Sequence, residues 1–296
     1  MIIRDCLILK GIGGFYYVKA PDGKVYECNA RGVFRKDGKT PLAGDNVSLD
    51  VNDRSSTVYE IYDRKNYLLR PPVANIDKLI IVSSVLDPAP NLYVLDKLTA
   101  IACDKDIQPF LVFSKADLAP SDEYIDIYLK SGIECFSTSI KTGEGIDRLR
   151  EIFSGSVCAL TGNSGVGKSS ILNMIEPTLN LKTSVTSKKF GRGKHTTRSV
   201  ELIEICGGYI ADTPGFTSLD FENTEVIKKE NLQFCFPEFE KYIGKCRFAD
   251  CSHTNDKGCA VLSGVSDGSI SKSRHESYCR MYEEASTFKE WELKNI

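Results

Sequence analysis

A glycine-rich stretch past the middle of the chain holds the residues whose chemistry is clearest. Residues 162–169 have the spacing G-x-x-x-x-G-K-S and follow the short apolar run 157–160. A strand, a glycine-rich turn and a helix start form the setting in which such a loop cradles phosphate with its backbone N–H groups. Lys168 should reach the β- and γ-phosphates, and Ser169 should ligate Mg²⁺. The nucleotide contacts predicted here are Gly162, Asn163, Ser164, Gly165, Val166, Gly167, Lys168, Ser169 and Ser170.

A second motif, downstream of this loop, predicts a further magnesium ligand. The apolar residues 209–211 lead into Asp212-Thr213-Pro214-Gly215, which reads D-x-x-G. A carboxylate at the end of an apolar strand can hold Mg²⁺ through water, and the Gly215 N–H would face the γ-phosphate, which gives it a catalytic role. The D-x-x-G pattern is weak alone and becomes strong evidence behind a phosphate loop.

Two motifs upstream of the phosphate loop indicate which base is bound. Residues 114–117 read S-K-A-D and resemble the N-K-x-D motif of GTPases, with serine in place of asparagine. Asp117 would accept hydrogen bonds from guanine N1–H and the exocyclic amine, which adenine does not offer there, so ATP would leave a buried carboxylate unpaired. Residues 139–145 resemble the S-A-K-x-G-x-G loop that closes over the base. The predicted base contacts are Ser114, Lys115, Ala116, Asp117, Ser139, Ile140 and Lys141.

A cluster of cysteines and a histidine near the C-terminus predicts a metal site. Cys246, Cys251, His253 and Cys259 have the spacing C-x₄-C-x-H-x₅-C. Zinc takes tetrahedral Cys₃His sites, which are structural when all four ligands are protein. The alternative is three buried free cysteines and a surface histidine. Because the first residues lack the long apolar core of a signal peptide, we expect the eleven cysteines to be reduced thiols in the cytoplasm, where a metal is favoured over disulfides.

The elements that must position these groups divide the chain into three predicted domains. Residues 1–66 read as some five short strands, which suggests a small RNA-binding barrel of the OB type. Residues 67–221 alternate strands and helices, the pattern of an α/β parallel sheet. Residues 222–296 read as helical and hold the metal cluster. A length of 296 residues is ample for this division, and no apolar run is long enough to cross a membrane.

The charge distribution favours a local nucleic-acid face over a globally basic protein. The formal net charge is −2, which gives no overall attraction to nucleic acid. Residues 182–198 hold six Lys or Arg and no acidic residue. This stretch should contain the first switch loop, and a dense basic patch there suits a phosphate backbone. A threonine of this loop should bind Mg²⁺, with Thr197 favoured over Thr196.

The order of the motifs is base, base, phosphate, switch and metal, whereas an ordinary GTPase has the phosphate loop first and the base motifs last. The sequence therefore resembles the circularly permuted GTPases of the RsgA type, which bind the small ribosomal subunit and act late in its maturation. The resemblance covers the barrel, Arg70-Pro71-Pro72, the permuted motifs and the cysteine cluster. It implies an OB-fold, hydrolysis of GTP to GDP stimulated by the small subunit, contact with 16S-type rRNA, and one zinc on a matching C-x₄-C-x-H-x₅-C. We further expect a monomer when the protein is off the ribosome.

The residue that orients the attacking water must be found outside the usual place. Many GTPases carry glutamine after D-x-x-G, and this chain has Phe216, which cannot hydrogen-bond. Of the three histidines, His253 is a predicted zinc ligand and His275 lies in the C-terminal helix. His195, in the first switch loop, is therefore the predicted catalytic residue. The alternative is a loop histidine that contacts rRNA or nothing.

Two other functions are compatible with parts of the sequence. An ATP-using phosphate-loop enzyme would share residues 162–169 and would contradict the assignment of Asp117. A non-enzymatic RNA-binding module would use the nucleotide only as a structural ligand. A measured preference for ATP over GTP would favour the first alternative over a GTPase. Single-turnover hydrolysis with and without small subunits would distinguish the second alternative from an enzyme.

Overall fold

The computed structural model describes residues 1–36, 38–53, 55–69, 71–181, 200–212 and 226–287. The first five strands form a closed barrel in which each strand pairs with two others, in the order β1-β2-β3-β5-β4 and back to β1. Their bounds are β1 Ile2–Ile12, β2 Phe15–Lys19, β3 Val25–Ala30, β4 Asn46–Val51 and β5 Ser56–Ile61. This confirms the predicted five-stranded barrel of the OB type.

The barrel interior is filled by alternate side chains of its strands, as the two-residue period of a strand requires. These inward residues are fully buried: Cys6, Ile8, Val18, Cys28, Val47, Leu49 and Val58. The short helix α1 (Gly32–Lys36) follows β3. Strand β1 also runs on to the second sheet, where Lys10 pairs in register and by an ion pair of 2.8 Å with Glu201.

The second sheet has the order β10-β9-β8-β11-β13-β12, and all its strands are parallel except β12. Between the barrel and this sheet, the chain forms a small hairpin whose two strands, β6 (Tyr67–Leu68) and β7 (Val73–Ala74), have two residues each. The sheet strands are β8 Lys78–Ser84, β9 Gln108–Ser114, β10 Glu134–Thr138, β11 Val157–Thr161, β12 Glu201–Ile205 and β13 Gly208–Asp212. This confirms the predicted parallel sheet, and adds the antiparallel β12.

Helices cover both faces of this sheet, which is why its strands read as continuous apolar runs. Leu79 and Ile81 of β8 pack with the helices of one face, and Ile80 and Val82 with those of the other. Helices α2 (Leu92–Asp104) and α3 (Asp122–Lys130) lie on the first face, and α4 (Ile146–Phe153) and α5 (Lys168–Ile175) on the second. Within the described ranges no helix is long and apolar enough to cross a membrane.

The order of the strands indicates that a ligand would bind at the carboxyl ends of the parallel strands. From β8 the chain builds outward through β9 and β10, and then returns to the opposite side of β8 as β11. Ligands of open parallel sheets bind at the carboxyl ends of the strands where the order reverses. The residues at those ends are Ser84, Ser114, Thr138, Thr161 and Asp212.

The C-terminal segment packs on the face that carries α2 and α3. It consists of α6 (Lys229–Leu232), α7 (Ala260–Ser266), α8 (Lys272–Thr287) and single 3-10 turns. Its contact with the sheet domain contains the fully buried Arg274 of α8. The guanidinium donates to both carboxylate oxygens of Glu238, at 2.8 and 3.1 Å, and to Asp96 of α2 at 3.0 Å. Tyr128 of α3 donates to the same Asp96 oxygen at 2.9 Å.

We expect Arg274→Met to destabilise the attachment of this segment strongly. The substitution would leave two buried carboxylates without their cation, a change that costs about 3–5 kcal/mol. Urea unfolding followed by circular dichroism measures the loss. Lys272→Met, which removes an ion pair exposed on the same helix, is the control and should cost under about 1 kcal/mol. Equal small effects of both substitutions would contradict the assigned role of Arg274.

Candidate functional site

The phosphate loop lies between β11 and α5, as its sequence predicts. Two of its glycines are required by geometry. A Cβ on Gly162, whose φ is +143°, would lie 2.2 Å from the carbonyl oxygen of Val82, and Gly167, the N-cap residue just before α5, has a φ of +96°. Only glycine adopts such angles at low cost, so the loop can approach β8 and then turn its N–H groups toward a ligand.

Lys168 is already held over this loop. Its ammonium donates to the carbonyl oxygens of Gly162 at 2.5 Å and Asn163 at 2.9 Å. Burial lowers its pKa to about 8, because carbonyl dipoles replace only part of the lost hydration. An anion bound in the loop would raise this pKa again by stabilising the charged ammonium. The geometry therefore suits a phosphate chain lying beside Lys168.

A cavity of about 320 Å³ adjoins the phosphate loop at the ends of β9 and β10. Both predicted base motifs line it, opposite residues of the loop and of α5. The lining residues are Ser114, Lys115, Asp117, Leu118, Thr138, Ile140, Lys141, Gly165, Val166, Gly167, Ser170 and Ile171. A pocket with mostly apolar walls and one carboxylate is a suitable shape for a flat heterocyclic base.

Asp117 is held as an ionised acceptor in this cavity. Its side chain is 13% exposed and contacts Lys141 Nζ at 2.8 Å through one oxygen and Ser139 Oγ at 2.7 Å through the other. The hydrogen bond from Lys141, and then that from Ser139, lowers the pKa of Asp117. An ionised carboxylate only accepts hydrogen bonds, and guanine offers two N–H donors side by side.

The remaining residues of the first base motif anchor the cavity wall. Lys115 has a φ of +61°, and its ammonium donates to the carbonyl oxygen of Asp87. Ser114 Oγ donates to the carbonyl oxygen of Val166, in the phosphate loop, at 2.5 Å. The sequence did not single out Asp87, because a backbone acceptor in a loop carries no residue-type signal.

Several predicted residues lie outside the described part of the chain, namely Thr196, Thr197, His195 and Gly215, together with the side chain of Asp212. The backbone of Asp212 ends β13, which runs parallel to β11 and next to it, with Ala211 opposite Ala159. Asp212 therefore ends its strand at the sheet edge from which the phosphate loop begins.

The four predicted metal ligands converge within the C-terminal segment, where His253 and Cys259 are buried and the other two are half-buried. One ligand atom from each of Cys246, Cys251, His253 and Cys259 lies within 4.8 Å of all the others. His253 Nδ1 is 3.5 Å from the sulfurs of Cys246 and Cys259, which are 3.9 Å apart. A tetrahedral Zn²⁺ with ordinary bond lengths would separate two sulfurs by about 3.8 Å and sulfur from nitrogen by about 3.5 Å. The donor set and its spacing thus fit a zinc ion.

The residues around the cluster favour the neutral tautomer of His253 that leaves Nδ1 available to a metal. His253 Nε2 lies 3.0 Å from Gln233 Oε1, so Nε2–H can donate to the amide while Nδ1 is left for a metal. Burial lowers the pKa of His253, which favours the neutral imidazole. Burial also raises the pKa of Cys251 to about 12, so thiolates there need a cation. Gln233 lies outside the cysteine spacing, and the sequence offered no signal for it.

Comparisons with known proteins agree with this geometry. The family model of the RsgA GTPase matches residues 61–222, and that of the RsgA N-terminal domain matches residues 6–58. The small ribosomal subunit biogenesis GTPase RsgA of Bacillus cereus is 43% identical over 284 residues, which cover 94% of this chain and 96% of that protein. The protein of the same name from Caldanaerobacter subterraneus is 42% identical over 293 residues, 97% of this chain and 98% of its own.

Solved structures give the same result for the fold. YjeQ from Thermotoga maritima superposes with a TM-score of 0.82 at 32% identity and covers 98% of this chain and 100% of its own. YloQ, described as a circularly permuted GTPase, superposes with a TM-score of 0.79 at 33% identity, over 98% and 96% of the two chains. Both the identity over nearly the whole length and the shared permuted fold lead to one conclusion: this chain belongs to the RsgA family of GTPases.

Proposed function

We propose that this protein hydrolyses GTP to GDP and phosphate, and uses the cycle to bind and leave the small ribosomal subunit late in its maturation. One observation supports the choice of nucleotide above the others. An ionised Asp117 lies in a cavity that adjoins a phosphate loop. The family and the names of the relatives support the ribosomal role.

The chain's own residues take the following roles in this proposal. The N–H groups of the phosphate loop and the ammonium of Lys168 hold the β- and γ-phosphates. Ser169, Asp212 and Thr197 would hold Mg²⁺, which would neutralise charge on the phosphates. Gly215 presents its N–H to the γ-phosphate, and His195 orients the attacking water. The proposed zinc ion on the C-terminal cluster supplies structure and takes no part in hydrolysis.

The preference for guanine depends on Asp117, and we expect Asp117→Asn to reduce it. An amide offers one acceptor and a donor, so it cannot accept both guanine N–H groups. GTP affinity should fall about 10²-fold, since each bond to a charged acceptor contributes about 1.5–3 kcal/mol. Competition of GTP, ATP and XTP against a fluorescent nucleotide measures the change, with Asp122→Asn on the exposed start of α3 as the control. An unchanged preference of GTP over ATP would contradict this role, and a wild-type preference for ATP would refute the proposed nucleotide.

Contact with rRNA is supported by the barrel and by the basic sequence of residues 182–198. On the barrel, the Arg31 guanidinium lies 4.8 Å from the ring centre of Tyr59, and Lys24 Nζ lies 4.6 Å from that of Tyr26. Tyr59 and Phe15 are more than 40% exposed. Cations beside exposed aromatic rings are the usual means by which small barrels hold phosphate backbone and unstacked bases. We propose that the protein works in the cytoplasm and is monomeric off the subunit.

Stimulated hydrolysis tests both the proposed cycle and the role of His195. We expect purified small subunits to accelerate GTP turnover, and His195→Ala to lower the stimulated rate about 10²-fold, the usual effect of a lost acid–base group. Lys194→Ala is the control. It should weaken the affinity for subunits and leave the rate at saturation unchanged. Turnover of the His195 variant within about twofold of wild type, well short of that loss, would show that another residue is catalytic. Equal turnover with and without subunits would refute the cycle.

A further inference from the structure

Ser114 joins the two halves of the nucleotide site by a single hydrogen bond. It ends β9 and is almost completely buried. Its hydroxyl lies 2.5 Å from the carbonyl oxygen of Val166 and 3.3 Å from that of Ser83. A hydroxyl has one hydrogen to donate, and the shorter contact is the one to Val166. The base motif is thus bound directly to the phosphate loop.

Thr138 lies beside Ser114 and has no such bond. The two residues are register partners on the parallel strands β9 and β10, so their side chains project from the same face of the sheet. Thr138 is completely buried and lines the cavity next to the loop. In the described part of the chain its Oγ1 has no hydrogen-bond partner. A buried hydroxyl without a partner is uncommon and calls for an explanation.

The residue type at position 114 supplies that explanation. The related motif of other GTPases begins with asparagine, whose amide carries two donors and one acceptor and reaches further than a serine hydroxyl. A serine hydroxyl can donate one hydrogen bond, either to the phosphate loop or to Thr138 on the next strand, and here it donates to the loop. The Thr138 hydroxyl is the group left over. The base cavity is therefore joined to the loop by the one bond from Ser114, and the Thr138 hydroxyl adds none in the described part of the chain.

We propose that Ser114 is a positioning residue that sets how firmly guanine nucleotide is held, by joining the base cavity to the phosphate loop through one hydroxyl while Thr138 stays unpaired. A less firmly joined site is less preorganised, and a site that must be ordered on binding holds its ligand more weakly. This inference rests on the proposed function, since it concerns release of a guanine nucleotide.

The test is the rate at which a fluorescent GDP analogue dissociates when chased with excess GDP. Ser114→Ala removes the bond and should speed release about three- to tenfold, the range of one net hydrogen bond. Ser114→Asn should slow release by a similar factor. Thr138→Val keeps the shape and removes the hydroxyl, so it tests the second half of the proposal, and Asp122→Asn on the exposed start of α3 is the control that should leave release unchanged. In the double variant Ser114→Asn/Thr138→Val, the dissociation rate should return to that of the wild type. Thermal unfolding midpoints of all variants show whether each one is folded.

The outcomes separate this inference from the function on which it rests. If the wild-type protein does not prefer GDP to ADP, the proposed function fails. If it prefers GDP but Ser114→Ala releases it at the wild-type rate, only the inference fails. Faster release from Thr138→Val alone would overturn it too, because Thr138 would then contact the nucleotide itself. Slowing by Ser114→Asn that persists in the double variant would also overturn it.

Discussion

Replacing Lys168 with alanine should reduce GTP turnover by at least about 10²–10³-fold, the usual effect of losing one preorganised charge at a reacting group. The ammonium is placed before any ligand arrives, because two loop carbonyls hold it at 2.5 and 2.9 Å. The Lys168 side chain therefore does not have to change its conformation before its charge can act on the phosphates. Alanine removes the positive charge beside the β- and γ-phosphates and leaves the N–H groups of the loop unassisted.

Two further variants make this prediction specific. Lys168→Arg keeps the charge, but a planar guanidinium does not match a site built for a compact ammonium, so we expect it to be nearly as inactive. Lys130→Ala, at the exposed end of α3, is the control and should keep normal turnover. The measurement is phosphate release at saturating GTP. Near-normal release by Lys168→Ala would contradict both the role of Lys168 and the proposed hydrolysis at this loop.

The lowered pKa of Lys168 should make nucleotide affinity depend on pH. The value is about 8 in the free protein, and a bound phosphate chain raises it by stabilising the ammonium. Nucleotide affinity should therefore be constant well below pH 8 and should fall as the pH rises above 8. Calorimetry in buffers of different ionisation enthalpy should show proton uptake on GDP binding that grows from pH 7 to pH 8.5.

Removal of the zinc ion should have the second large effect, on the C-terminal segment. Structural zinc contributes about 10–16 kcal/mol of apparent binding free energy in small domains, which is folding free energy there. We expect one equivalent of zinc in protein purified without chelator. Cys251→Ser should lose the metal and expose residues 226–287 to rapid proteolysis, because the loop between Cys246 and Cys259 contains no helix or strand and the ion would join its two ends.

Cys279→Ser is the matched control for this experiment. Its sulfur lies 4.0 Å from the carbonyl oxygen of Thr254, the residue after His253, but it is not one of the four converging ligands. This variant should keep its zinc and its resistance to protease. Metal analysis that finds no zinc in the wild-type protein would refute the zinc assignment. Loss of zinc from Cys251→Ser without any change in proteolysis would show that the ion does not stabilise the segment.

The local parts of this protein can be predicted from its amino-acid sequence. The phosphate loop, the base motifs and the cysteine cluster are each contiguous, or nearly so, and their spacings alone fix which groups can share a ligand. The apolar runs gave the buried parallel strands, and the motif order gave the permutation. The boundaries at residues 66 and 221 stay predictions.

Contacts between residues that are far apart in the chain become visible only in the folded protein. Arg274 and Asp96 are 178 positions apart, and nothing in the polar sequence of α8 distinguishes a buried arginine from the exposed Lys272 and Arg280 beside it. The same holds for Ser114, whose bond to Val166 spans 52 positions. In each case the partner is chosen by how the helices and strands pack. A residue type states which bonds a side chain can make, and only the fold states which of them it makes.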